Sequence, residues 1–265
     1  MTSDAGTQAR ILVGAGCFAD ARTAMRIAQH ILADLPGFLG GLLVEDEEFL
    51  TACPSPNQRV VSASGAQFLV PSPMQVRTMM KADAEAFRQL LASLAASSVS
   101  KWTFERRQGE LVESALGIGR GWDVLIVGYR EINPVPGRVI ALLSGRVEGG
   151  NTLEIAHALA RRLNTETSVF VIDADQPKGI GQDESNAQVF HTVDAAVGQL
   201  ARTNARVVVI DMARGPIKSA GQIRVLLEAS RCPVVILNSG AGERALKHSV
   251  QIPHPPKAEF DGNEG

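Results

Sequence analysis

Two glycine-rich segments carry spacings that phosphate chemistry uses. Gly14-Ala15-Gly16-Cys17-Phe18-Ala19 fits G-x-G-x-x-A, with an apolar run before it and an amphipathic stretch after it. Such a turn presents backbone N–H groups and a helix N-terminus to a pyrophosphate. The acids that follow, Glu45-Asp46, come later than the ~20-residue spacing of a ribose-binding acid, and Phe18 is bulky for the turn. A tight strand–helix turn of small residues is the simpler reading. Gly145 to Thr152 (GRVEGGNT) stands one residue from a P-loop, with Asn151 where the motif requires lysine. Without that cation the β- and γ-phosphates lose their charge partner, and Glu148 adds repulsion. Asn151 or Thr152 therefore reads as a helix N-cap. Cys17 falls near a helix N-terminus, where the dipole could depress a thiol pKa, but no second cysteine is near enough in sequence to resolve it. Filling a tight turn is its simpler role. The histidines (His30, His157, His191, His248, His254) show no HxxH or HExxH spacing, so no metal site is expected, and no G-x-S-x-G elbow occurs.

The residues that position these segments belong to a globular chain. Of 265 residues, 45% are hydrophobic and 20% charged, which excludes a disordered or fibrous protein. Aromatics are only 5%, so Val, Leu, Ile and Ala must build the core. A net charge of −2 offers no phosphate-neutralising excess and argues against nucleic-acid binding. Arg106–Arg107 and Arg161–Arg162 read as solvated faces. Three cysteines without CxxC pairing exclude a disulfide framework and a zinc site of ordinary spacing. The N-terminal residues lack a signal-peptide pattern, and no apolar run approaches the ~18 residues that span a bilayer. A soluble, cytoplasmic protein with no membrane partner is expected.

Short runs apolar on both faces alternate with longer amphipathic stretches. The runs are Arg10–Gly16, Leu39–Val44, Val124–Gly128, Val139–Leu143, Ser168–Ile172, Val207–Ile210 and Val234–Leu237. They suit parallel strands covered by helices above and below. Ala24, Ile27, Ala28, Ile31 and Leu35 form one helical stripe. A second helix starts at Ser72-Pro73, with its stripe at Met80, Ala84, Phe87, Leu91 and Leu94. This alternation predicts an α/β fold with a doubly wound parallel sheet.

A shift of 128 positions, the distance from Arg10 to Arg138, aligns one strand–helix–strand unit with another without a gap. Ile27-Ala28 falls on Ile155-Ala156, Leu35 on Leu163, and Leu42-Leu43-Val44-Glu45 on Phe170-Val171-Ile172-Asp173. Gapless register with an acid closing each second strand points to duplication. Two units in tandem are expected, at 8–133 and 138–239, followed by a disordered tail at 240–265. The first carries an insertion at 49–98, comprising a Pro/Ser-rich loop (Thr51–Pro73) and the second helix, and lacks a fifth strand. The second unit is shorter but ends in a fifth strand. The partner of a strand at Ala187–Val193 is left open.

These features resemble a tandem universal stress protein. The resemblance rests on Arg10–Gly16 opening a strand–helix unit, on Trp122–Gly128 (WDVLIVG) as a fourth strand, and on Leu226–Leu237 (LLEASRCPVVIL), where a helix runs into Cys-Pro-Val. It spans Arg10 to Leu237. The nucleotide-binding branch of that family ends its first strand in an Asp that contacts the nucleoside. The matching positions here are Gly16 and Ser144. The glycine-rich phosphate loop expected after the fourth strand is replaced by Tyr129-Arg130-Glu131-Ile132-Asn133-Pro134 and by Asp211-Met212-Ala213-Arg214-Gly215-Pro216. A carboxylate there repels phosphate, and proline removes a donor. The resemblance thus implies a non-enzymatic regulatory or interaction protein without cofactor, contacting a protein partner or itself. Its contact would use the inserted helix, with the Met74, Met79, Met80 group, or the sheet edge left by the missing fifth strand. The alternative is an ATP- or AMP-binding universal stress protein, with Ala15, Gly16, Val44, Gly128 and Arg130 lining the crevice. An NAD enzyme would rest on the Gly14–Ala19 fingerprint alone.

Overall fold

The computed structural model describes residues 9–33, 37–45, 59–61, 67–69, 72–98, 101–129, 137–145, 150–173 and 187–238. The chain runs β1 (Ala9–Ala15), α1 (Phe18–Leu32), β2 (Gly37–Glu45), β3 (Arg59–Val61), β4 (Gln67–Leu69), α2 (Pro73–Ser98), β5 (Lys101–Gln108), α3 (Leu111–Gly119) and β6 (Val124–Val127). It continues as β7 (Arg138–Ser144), α4 (Gly150–Arg162), β8 (Thr167–Ile172), β9 (Ala187–Phe190), α5 (Val193–Leu200), β10 (Ala205–Asp211), α6 (Ala220–Ser230) and β11 (Val234–Leu237).

Nine strands form one sheet in the order β5-β2-β1-β6-β11-β10-β7-β8-β9, a mostly parallel, Rossmann-like α/β arrangement. Every neighbouring pair is parallel except β6 with β11, which is antiparallel. Outward from β11 the two sides read alike: β6, β1, β2, β5 on one, and β10, β7, β8, β9 on the other. The two parallel blocks therefore point their carboxyl ends in opposite directions.

The apolar runs become strands because both sheet faces are covered. All four residues of β6 and of β11 are buried, and the alternation of side chains sends them into two cores. On one face, Ile11, Val13, Ile126, Val139, Val209 and Val235 pack beneath α1, α2 and α4. On the other, Leu12, Leu125, Val127, Ile140, Val208 and Ile236 pack beneath α3, α5 and α6. The stripe expected for α1 is buried at Ala24, Ile27 and Ala28. The second helix starts as expected at Ser72-Pro73. The Ser72 hydroxyl accepts the Gln75 N–H, and the Gln75 amide oxygen accepts the Ser72 N–H, a reciprocal cap.

Four expectations are corrected or completed. The edge thought to be left open by a missing fifth strand is closed, because β11 pairs with β6 in antiparallel register, Val234 opposite Val127 and Leu237 opposite Val124. The sheet ends instead at β5 and β9. β5 lies beside β2 and was absent from the apolar runs, since its residues are half-exposed or exposed throughout, as befits an edge strand. The Pro/Ser-rich loop carries a two-stranded antiparallel ladder, β3 with β4. The strand at Ala187–Phe190 pairs in parallel with β8, Val169 opposite Ala187. The expected tail at 240–265 lies outside the described residues.

Candidate functional site

A doubly wound sheet binds ligands where adjacent connections leave the carboxyl ends of its strands on opposite faces. In the first half that place lies between β1, followed by α1 on one face, and β6, preceded by α3 on the other. Three of the five expected nucleotide residues gather there: Ala15 ends β1, Gly16 follows it, and Gly128 follows β6; Val44 lies one strand away, near the end of β2. Arg130 lies outside the described residues. Proximity does not make these residues available. Ala15, Val44 and Gly128 are buried, and only Gly16 is exposed. The Gly128 N–H donates to the Gly14 carbonyl at 2.7 Å. The first turn of α1 presses on Gly128 so closely that a Cβ there would stand 2.6 Å from the Asp20 carbonyl oxygen. The crevice is thus closed over Gly128 by the helix that ought to face a ligand.

The opening N–H groups of a helix have no intrahelical acceptor and carry its positive dipole end, the usual attraction for phosphate. At α1 that role is taken internally. Cys17 occupies the cap position without a side-chain cap bond, and the Phe18 N–H donates to Oδ2 of Asp83 at 3.2 Å. Asp83 comes from α2, the inserted helix. Burial pushes the pKa of the Cys17 thiol up, and the Asp20 N–H offsets this only in part.

The second half repeats this substitution by different means. β10 ends at Asp211, which is 6% exposed. Its Oδ1 accepts the N–H groups of Ala213 at 2.7 Å and Arg214 at 2.9 Å. These are the donors that a turn after the fourth strand would offer to a phosphate oxygen. The Gly215 N–H closes the same turn on the Asp211 carbonyl at 2.7 Å. The Lys218 ammonium donates to the Met212 and Ala213 carbonyls at 3.0 and 2.6 Å. These turn donors and the Lys218 ammonium alike are committed to the protein's own oxygens. Across the crevice, a Cβ at Gly145 would lie 2.6 Å from Asp173, the acid that closes β8.

The expected N-cap at Asn151 or Thr152 is corrected as well. α4 begins at Gly150, which has a φ of +37°, so Asn151 and Thr152 lie inside its first turn and do not cap it. Thr152 is 4% exposed and faces the core. Among the described residues no group of three or more His, Cys, Asp and Glu gathers as a metal site, and no helix is long and apolar enough to cross a membrane. Asp83 was missed in the sequence because 65 residues separate it from Phe18.

No protein-family model matches the chain, and no curated protein matches it. Among solved structures it is similar to a functionally unknown protein from Pseudomonas aeruginosa PAO1, at 13% sequence identity and a TM-score of 0.45, covering 94% of this chain and 98% of that one.

Proposed function

We propose that the chain is a non-enzymatic, cytoplasmic regulatory or interaction protein, made of two universal-stress-like halves that form an internal pseudo-dimer and no longer take nucleotide. The observation that carries this reading is the pair of carboxylates, Asp83 and Asp211, on backbone N–H groups that a phosphate would otherwise occupy. A nucleotide would have to displace a carboxylate and leave it without its donors, a cost of the same order as the bonds it gained. The duplication is supported by the like order of strands on either side of β11 and by the gapless alignment of β1-α1-β2 with β7-α4-β8. Partner contact or self-association uses α2, whose Met74 and Met79 are 78% and 62% exposed rather than covering the sheet.

Calorimetry of the full chain with ATP, AMP and NAD tests this. No binding at micromolar concentration, with a defined oligomer or a co-purifying protein, is the expected result. Micromolar binding of ATP or AMP overturns it in favour of an adenine-nucleotide-binding stress protein. One observation favours that second reading: Gly16 is exposed, and a Cβ there would meet only the Asp20 carboxylate, at 3.7 Å. On that reading, Gly16→Asp restores a nucleoside contact and raises affinity.

A further inference from the structure

The antiparallel β6–β11 junction brings the amino ends of β7, β10 and β11 beside the flank of α1. A cleft of about 300 Å³ lies there, within the size range of small-molecule sites. It is separate from both crevices, since neither Ala15, Gly16, Val44 and Gly128 nor Asp211 lines it. Four arginines do: Arg26 from α1, Arg202 after α5, Arg206 in β10 and Arg231 at the end of α6. No carboxylate is found among the described residues of the lining.

Structural needs explain part of this charge. α4, α5 and α6 all end at the cleft, through Leu163, Ala201 and Arg231, and their carbonyl ends attract cations. Arg206 reaches the Leu163 carbonyl, though at a long 3.4 Å. Three helix ends carry together roughly −1.5 elementary charges, against the three full positive ones of Arg202, Arg206 and Arg231. Among the described residues of the lining a positive excess remains. His30 also lines the cleft; burial lowers its pKa, and the charges of Arg162 and Arg206 lower it further. Its imidazole is therefore neutral near pH 7 and free to act as a hydrogen-bonding partner beside the guanidiniums. The wall between the charges is uncharged, with Ile27, Pro233 and the buried Cys232, whose thiol is pushed up to about 12 by burial.

The geometry points to this cleft as a binding site for a small phosphate-bearing anion, held by Arg202, Arg206 and Arg231 with α1 as its far wall. Guanidinium forks match phosphate oxygens in pairs, and a half-enclosed site strengthens each contact. Because the lining is shared between α1 and the second half of the chain, an occupant ties the two together. The site does not depend on whether either crevice binds nucleotide.

Inorganic pyrophosphate is the probe, titrated calorimetrically into the full chain at fixed ionic strength. Saturable binding is expected. Arg206→Gln with Arg231→Gln weakens it by about tenfold or more, as expected for loss of charged hydrogen bonds. Arg88→Gln, which removes an exposed positive charge on α2 outside the cleft, leaves it unchanged. Arg202→Glu is a second variant whose folding is not at stake, since Arg202 is exposed, and it also weakens binding. Bound pyrophosphate raises the His30 pKa, read from its imidazole NMR signals, because an anion favours the imidazolium. Absence of saturable binding up to millimolar pyrophosphate overturns the proposal. So does binding that Arg202→Glu and the double variant leave intact, or that leaves the His30 titration unmoved. Binding of citrate equal to that of pyrophosphate overturns the assignment to phosphate.

Discussion

Replacing Asp211 tests whether a carboxylate has taken the place of a ligand. Its Oδ1 receives two N–H groups within 2.9 Å at a 6% exposed position. Hydrogen bonds to a charged group contribute about 1.5–3 kcal/mol each, and two on one oxygen add incompletely. Asp211→Ala therefore costs about 2–4 kcal/mol. For a chain of this size that lowers Tm by about 4–7 °C. Asp211→Asn keeps a neutral acceptor and costs about half as much. Scanning calorimetry with inorganic phosphate against chloride at equal ionic strength gives the decisive arm. In Asp211→Ala the vacated N–H groups accept phosphate, so phosphate recovers part of the lost Tm, while the wild type gains less. An alanine variant within about 0.5 kcal/mol of wild type would refute the claim that this carboxylate holds the turn. Equal phosphate effects on both proteins would refute the idea that it mimics an anion.

Two further outcomes follow from packing and burial. Gly40→Ala would place a Cβ 2.3 Å from the Trp122 ring and 2.9 Å from Leu12, so overpacking destabilises the protein by about 1–3 kcal/mol in urea denaturation; an unchanged midpoint would contradict it. Burial raises Cys232 from 9.0 to about 12, so the folded state retains a proton that the unfolded state releases in between. Its contribution is complete below pH 9.0 and declines at about 1.4 kcal/mol per pH unit as pH rises toward 12. Melts from pH 8 to 11 should lose this alkaline slope in Cys232→Ala, and an identical slope in both proteins would count against it.

Much of the fold was legible because parallel strands buried on both faces write themselves as continuous apolar runs, as Val124–Val127 and Val234–Leu237 do. β5 was not, since an edge strand with one covered face carries Thr103, Glu105, Arg106 and Arg107 and reads as surface. The union of β6 with β11 was also hidden. Local periodicity states that a segment is a strand and says nothing of which distant strand it meets. The site divides along the same line. Asp211 acts on donors two and three residues away, so its opposition to phosphate could be read directly. Asp83 acts across 65 residues and needed the inserted helix to be folded against α1. Asn151 and Thr152 misled because capping residues and first-turn residues look alike when the helix start is set by a glycine with positive φ.

The position of β11 has a consequence for synthesis. It fills the gap between β6 and β10, yet among the described strands it is the last in chain order, so it leaves the ribosome after both. Until Val234–Leu237 emerges, β6 and β10 each present a bare, valine-rich hydrogen-bonding edge. A nascent chain halted or clipped before that point would pair those edges with a sister chain and aggregate. Solubility during translation therefore turns on the four residues Val234–Leu237, which cover both edges at once.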